Sequence, residues 1–465
     1  MLLTHGYFLA EDPREQRIMK PYPPLGILSI AAWLRQRGVE VELFDTTFAT
    51  WEQFRQRLLG NPPAVVGIYT NLMTKLNVLR AIRFIKGTPA LRGTKIVLGG
   101  PEIRHHAERF LQHGADVVVI GEGEQTMEEL LRCINAGGEL DEVAGIAFLR
   151  DGQLLRTAER TLLRSIDDLP IPFREGIALE RYLETWKRHH GTSSVSISTM
   201  RGCPYTCRWC SRAVYGGTYR RRSPAVVADE MEQIRNRYNP DALWFVDDVF
   251  TINHRWLEGF AAELAARNLR IPYECITRAD RLNERAVELL RATGCFRVWI
   301  GAESGSQRVV DAMDRRVKVE QVREMIQLSK RHGIQTGTFI MVGYPGETEE
   351  DILETIHHLK VSAPDHYTIT IAYPITGTPL FDEVRSQLVS VPEWAAATDR
   401  DLDFQRTYSR RYYRFAISRI THEVQAHKLA QGPALPRLKH RLRAAGAALA
   451  MRIERRFGTA AGATK

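Results

Sequence analysis

Three of the six cysteines in this 465-residue chain fall within one short stretch, STMRGCPYTCRWCSRA (198–213). They are Cys203, Cys207 and Cys210, spaced C-x3-C-x2-C. Thiolates bind soft metals. A structural zinc site ordinarily takes four ligands, often as two C-x2-C pairs, and only three thiols lie together here. Cys133 falls in a helical pattern elsewhere, and Cys275 and Cys295 lie in or beside apolar strand patterns, where a free cysteine packs as a small hydrophobe. Three thiolates on a tight loop can instead hold three irons of a [4Fe–4S] cluster and leave the fourth open to another ligand. Six cysteines in so long a chain do not make a disulfide framework.

The cysteines need a scaffold, and the pattern around them supplies one. Apolar runs at 194–200, 242–248, 272–278, 296–304, 337–345 and 366–374 read as strands with a helical pattern between each pair. Six βα units of this kind predict a barrel or partial barrel whose chemistry lies at the strand C-termini. The three cysteines follow the first of these strands. Asp247 and Asp248 end the second, Arg278 the third, Glu303 and Ser304 the fourth, and Gly343 follows the fifth.

Residues 1–145 form an earlier α/β run, with strands expected at 39–45, 64–70, 95–100 and 116–124. Alternation with amphipathic stretches predicts a doubly wound domain. Ligands in such folds sit at the carboxyl ends of the strands, here around His5, Thr70, Asn71, Gly99, Gly100, Gly121 and Gly123. The glycines serve either as tight turns or as a rim facing a cofactor. None completes G-x-G-x-x-G, so a nicotinamide site is not indicated. Residues 146–190 read as a linker containing a hairpin and a polar helix. Residues 381–465 read as a basic helical region: 14 Lys and Arg but only two acids lie past position 403, against +9 for the whole chain. No window is long and apolar enough to span a membrane, and the N-terminus has no secretory pattern, so the expected location is cytoplasmic. The C-terminal mix of apolar and cationic residues also allows peripheral contact with an anionic membrane.

The C-x3-C-x2-C loop after a first barrel strand, with Trp209 before the last cysteine, resembles the radical S-adenosylmethionine (SAM) enzymes. FVDD at the second strand, ESG after the fourth and GYPGET after the fifth extend the resemblance along residues 191–380. KPYPPLGILSIAAWLRQRGVEVELFD, LGGPEIRHH and DVVVIGEGEQTMEEL resemble, as a series over residues 1–145, the Rossmann-like cobalamin-binding domain that precedes many such barrels. One departure is the absence of D-x-H-x-x-G, which supplies a histidine to cobalt in other cobalamin proteins. His5, His105 and His106 lie near the rim and are expected to be solvated surface residues.

The resemblance implies a fold of cobalamin domain, partial (β/α)6 TIM-type barrel and helical extension, with a [4Fe–4S] cluster, SAM and cobalamin as cofactors. It implies that Cys203, Cys207 and Cys210 hold the cluster and that the cluster cleaves SAM reductively to a 5′-deoxyadenosyl radical. Asp247, Asp248 and Arg278 would meet the methionine end of SAM. Glu303 and Ser304 would meet its ribose or amino group, and Trp209 and Gly343 would lie beside adenine. Thr70, Asn71, Gly99, Gly100, Gly121 and Gly123 would form the cobalamin rim. Against these stand core packing for Trp209, helix capping for Asp248, and an ion pair with Asp280 or Glu303 for Arg278. Arg201 and Arg208 would only offset cluster charge.

The expected function is C-methylation of an unactivated carbon in a small molecule, with electrons from flavodoxin or ferredoxin. The alternatives are a radical cyclase resembling the magnesium-protoporphyrin ester cyclases, a methylthiotransferase, and a cobalamin-sensing or nucleic-acid-binding module. No nucleic-acid partner is expected. The methylthiotransferase is disfavoured because residues 1–145 hold only Cys133 rather than a second three-cysteine site.

Overall fold

The computed structural model describes residues 1–457. The described chain forms two compact units: Met1–Pro204 with Ser211–Trp244 and Pro392–Asp401, and the remaining described residues.

The first unit is built on a seven-stranded sheet. In chain order its strands are β1 (Leu2–His5), β2 (Glu42–Phe44), β3 (Val65–Tyr69), β4 (Lys95–Gly99), β5 (Val117–Val119), β6 (Ile146–Arg150) and β7 (Gln153–Arg156). Their spatial order is β2-β1-β3-β4-β5-β6-β7. Pairings through β5 are parallel, and the β6–β7 hairpin extends the edge antiparallel. Side chains alternate between two cores. Leu2, Val66, Ile68, Ile96, Leu98 and Val118 join one, whereas Leu3, Val65, Val97, Val117 and Val119 join the other. That alternation is the period-two pattern of a sheet covered on both faces. Strand order reverses between β1 and β3, which opens a crevice at the strand C-termini. The register sets Tyr69 level with Gly99, so the ends of β3 and β4 form one rim.

The second sheet has six strands: β8 (Ser194–Ile197), β11 (Ala242–Phe245), β12 (Tyr273–Thr277), β13 (Cys295–Glu303), β14 (Gln335–Val342) and β15 (His366–Ile371), in the order β15-β14-β13-β12-β11-β8. They neighbour one another in chain order, with β8 and β15 as open edges, so the sheet is the expected partial barrel. Between β8 and β11 lie two short strands, β9 (Met200–Arg201) and β10 (Arg220–Arg221), paired antiparallel. Helices Pro224–Tyr238, His254–Ala266, Glu284–Ala292, Val319–Arg331 and Glu349–Ser362 separate the barrel strands. Several start where their sequence predicts. Ser223, Asn253 and Asn283 each accept a backbone N–H at the N-cap, and Thr348 forms a capping box with Asp351. The capping role weighed for Asp248 therefore falls instead to Asn253, five residues on.

The C-terminal region contains an unexpected short antiparallel pair, β16 (Leu388–Ser390) with β17 (Asp403–Phe404). Helices Arg410–Lys428 and Ala434–Phe457 follow and pack on each other. Residues 458–465 of the expected basic region lie outside the described residues. No helix among the described residues is long and apolar enough to cross a membrane.

Candidate functional site

The cysteine stretch is a loop rather than a helix, fastened by its backbone. Arg208 donates its N–H to the Met313 carbonyl at 3.1 Å and accepts from Leu380 N–H at 2.9 Å. Its guanidinium pairs with Glu383 at 2.7 Å, so its charge is met by a carboxylate. A turn from Cys207 to Cys210 closes through a 3.2 Å backbone hydrogen bond. Cys207 is buried, Cys203 half-buried and Cys210 exposed, and none is in a disulfide.

Two guanidiniums face the Cys207 sulfur. Arg315 Nη1 lies 3.6 Å and Arg278 Nη1 3.9 Å from Sγ. Arg278 is fully buried, pairs with Asp280 at 2.8 Å, donates to the Arg315 carbonyl at 2.8 Å and stacks over Tyr205. The ion pair with Asp280 weighed for it is thus present, and its free edge still points at the thiol. Arg315 donates to the Gly301 carbonyl at 3.2 Å and lies 3.8 Å from Glu303. Burial opposes its charge, but Glu303 and then Cys207 outweigh it and raise its pKa. Sequence reasoning missed Arg315: it follows a short helix, in no recognisable motif, and meets Cys207 across 108 positions.

Glu303 ends β13 with φ +65°, the left-handed region where a non-glycine residue is strained. The β13–β14 register shifts between Gly301 and Glu303, which turns the side chain out of the ladder. Burial raises its pKa, and Arg315 and Arg278 pull against that rise. Asp247 is buried beyond β11. Asp248 is open to solvent within a recess, where desolvation and then the Asp247 charge raise its pKa. Ser304 turns away: its hydroxyl lies 3.2 Å from Thr355 and accepts from Ser306 N–H. Gly343 takes φ +76° in a turn held by Glu347, which accepts its N–H at 2.6 Å, and by Arg406, which donates to its carbonyl at 3.2 Å. Trp209 packs against Val309, Met313, Tyr344, Leu380 and Phe404, the core-packing role weighed for it.

Within the first unit a cavity opens at the C-terminal ends of β3, β4 and β5. Its empty space, open mouth included, is about 1390 Å³. Gly99, Gly100, Gly121 and Gly123 all line it; Thr70 and Asn71 do not. The four glycines differ in what surrounds them. A Cβ on Gly100 would lie 2.4 Å from the Thr70 carbonyl, backbone that cannot give way, whereas one on Gly123 would lie 2.9 Å from the tip of the Ile30 side chain, which can shift. A Cβ on Gly99 or Gly121 would meet nothing closer than 4.0 Å and 3.7 Å respectively, so neither is crowded, and Gly121 is glycine for its φ of +92°. Asn71 spends its side chain on the Met73 and Thr74 N–H groups, and Thr70 bonds its own neighbours, so both shape the rim from behind.

Ser198, Met200 and Arg201, which lead into Cys203, line the same cavity, as does Tyr215 beyond the cysteines. No histidine does. The surface reading of two of them is corrected by the structure. His5 is buried, with Nε2 2.9 Å from Asp45, and His106 is buried 3.8 Å from Glu102, its pKa lowered to about 4 by desolvation. Strand and helix ends near a rim are not necessarily wet: Asp45 and Thr46 hold His5, and the Trp394 ring packs beside His106.

A family profile described as the radical SAM superfamily matches residues 197–359, and one described as a B12 binding domain matches residues 17–131. The chain is a radical SAM enzyme with a B12-binding domain. The first match spans the three cysteines, Asp247, Asp248, Arg278, Glu303, Ser304 and Gly343, and the second spans the whole glycine rim. The chain is 26% identical to an uncharacterized methyltransferase of Pyrococcus horikoshii, covering 82% of each. It is 27% identical to the anaerobic magnesium-protoporphyrin IX monomethyl ester cyclase of Synechocystis sp., over 76% of this chain and 70% of that one. In fold it matches the cobalamin-dependent SAM radical enzyme OxsB, with a TM-score of 0.66 and 19% identity. That match covers 77% of this chain and about half, 51%, of OxsB.

A radical SAM domain works with a [4Fe–4S] cluster and SAM, and a B12-binding domain works with cobalamin. The residues present fit these groups. Three thiols on one loop suit a cluster, whose thiolates bind separate irons. Two buried guanidiniums at one sulfur complement the negative charge that such a cluster brings. Gly99 and Gly121 leave room for a large ligand to approach backbone.

Proposed function

We propose that this radical SAM enzyme methylates an unactivated carbon of a small molecule, using cobalamin as methyl carrier. The observation that carries the reading is the cavity itself: the glycine rim and the residues leading into Cys203 line one space. When bound, SAM and the cluster supply a carbon-centred radical and cobalamin supplies a transferable methyl group. In this reading Cys203, Cys207 and Cys210 hold the cluster, and Arg315 and Arg278 balance its charge from behind Cys207. Asp247 and Asp248 receive the methionine ammonium, Glu303 accepts a donor from SAM, and the Gly343 turn borders adenine. Ser304 and Trp209 support these groups rather than touch SAM. Gly99, Gly100, Gly121 and Gly123 border the corrin, with Thr70 and Asn71 behind them. The electron comes from an external low-potential donor such as flavodoxin or ferredoxin.

The second reading, a radical cyclisation or rearrangement, is favoured by the cyclase relative. SAM carrying a deuterated methyl group separates the two. In methylation the labelled methyl appears intact in the product. A product free of label, with deoxyadenosine still formed, overturns the methyl-transfer reading.

The C-terminal helix Ala434–Phe457 supports a peripheral membrane contact. It has two apolar faces. Ala444, Ala447 and Met451 are buried, whereas Leu435, Leu438, Leu442, Leu449 and Ile453 form an exposed stripe on the other side. Arg437, Lys439, Arg441, Arg443, Arg452, Arg455 and Arg456 accompany the stripe, with Glu454 the one acid of the helix. Aliphatic side chains flanked by cations mark a helix that lies in the interface of an anionic bilayer, at about 1 kcal/mol per well-placed charge. The protein should co-sediment with anionic vesicles, less so at high salt as screening rises. Leu442→Glu with Leu449→Glu should abolish the binding. Equal binding by that double variant, or none by wild type, rules the contact out.

A further inference from the structure

The GEGE segment at 121–124 ties the cavity to the cysteine loop. All four of its residues line the cavity, as does Arg201, and Glu122 and Glu124 also bond Arg201 on the strand that enters the cysteine loop. Arg201 Nη1 lies 2.9 Å from Glu122 and 3.2 Å from Glu124, and its Nη2 lies 2.5 Å from Glu124. Arg220 gives Glu122 two further bonds, of 3.0 and 2.9 Å. Both glutamate side chains are only 5% exposed. Arg201 and Arg220 sit directly opposite one another in the β9–β10 ladder, where like charges repel. That ladder therefore depends on the two carboxylates. Burial opposes the Arg201 charge, but Glu124 and Glu122 overcome it and raise its pKa well above the ordinary value. The cationic residue expected to offset cluster charge is thus already neutralised by the glycine turn.

Immediately after Arg201 the chain turns at Gly202, with φ +83° and space for no Cβ: one would lie 2.3 Å from the Thr218 carbonyl. Cys203 follows. Only this one residue, packed against Thr218, separates Arg201 from the first cysteine.

We infer that Arg201, gripped by Glu122 and Glu124, is a positioning residue that couples occupancy of the cobalamin cavity to the order of the cluster loop. A corrin that settles the Gly121–Gly123 backbone also settles both carboxylates, and with them Arg201 and Cys203. Linkage makes the effect reciprocal: a formed cluster must tighten cobalamin binding by the same factor. The inference rests on this cavity being the cobalamin site.

The test uses the full chain, with and without its reconstituted cluster, titrated with hydroxocobalamin and followed by corrin absorption. Wild type carrying the cluster should bind at least about 5-fold more tightly than wild type without it, the lower end of ordinary coupling. Arg201→Gln should remove that difference while still loading iron. Arg201→Lys keeps the charge but loses the fork and should restore part of it. Because Arg201→Gln leaves Glu124 buried without its partner, Glu124→Gln, a neutral isostere, is read in parallel and should give the same loss. The paramagnetic resonance of the reduced cluster should change on adding cobalamin to wild type and not to Glu124→Gln. Equal affinities in the two forms of wild type, or an undiminished difference in both variants, overturn the coupling. Wild type that binds no cobalamin in either form overturns the cavity assignment first, and the coupling with it.

Discussion

Replacing Cys207 by alanine removes the cluster and brings deoxyadenosine formation to background. Wild type reconstituted without oxygen should hold about four irons per chain and be brown; the variant should hold almost none. Cys207 is the buried thiol of the three, and the one both guanidiniums approach. Its loss takes away a ligand and leaves Arg278 and Arg315 facing an apolar methyl. Cys133→Ala is the matched control. That thiol sits on helix Glu124–Ala136, bonded at 3.4 Å to the Glu139 carbonyl, and its removal should leave iron and SAM cleavage unchanged. Iron analysis and chromatography of deoxyadenosine read both variants. A Cys207→Ala protein with its full iron complement and normal SAM cleavage would falsify the ligand assignment.

Replacing Glu230 by alanine should cost about 3–5 kcal/mol of stability, the usual consequence of leaving buried charge unpaired. Glu230 is fully buried on helix Pro224–Tyr238 and lines the cavity. Arg174 donates to it at 2.6 Å, and Arg222 pairs with its other oxygen. Burial alone would push its carboxyl pKa up; Arg174 and Arg222 reverse this and lower it. A lowered carboxyl pKa contributes stability that is present above the unfolded-state value near 4.3 and is lost as pH falls through the folded value. The wild-type protein should therefore lose stability on acidification below about pH 4 more steeply than Glu230→Ala, whose deficit at neutral pH should narrow in acid. Urea unfolding at pH 7 and at acid pH measures both terms. A variant within about 1 kcal/mol of wild type at pH 7 would mean that the two arginines find other partners.

Much of the fold was legible because its signals are local. All six barrel strands lie where apolar runs place them, and the glycine-ended strands of residues 1–145 form a doubly wound sheet. Periodicity of two and of 3.6 reports which face each residue presents to its own layer. The short β16–β17 pair escaped notice because it has three residues in one strand and two in the other, too few for any period to show. His5 and His106 were misplaced for a related reason: the groups beside them, Asp45 and Trp394, come from distant parts of the chain.

The sequence by itself determined that three thiols sit on one loop after a strand, because cysteine spacing is a property of neighbours along the chain. It also determined that glycines end consecutive strands of the first domain. It did not determine which of those glycines are crowded by their neighbours. Gly99 and Gly100 are adjacent, yet only Gly100 is crowded by backbone, a fact set by where Thr70 lies on the next strand. Nor did it show that Arg315 would meet Cys207, or that GEGE would hold Arg201. Ion pairs and cation–thiol contacts act over a few ångströms in space between residues that are far apart in the chain. Only the folded backbone decides which opposite charges are brought within that reach and shielded from water once there.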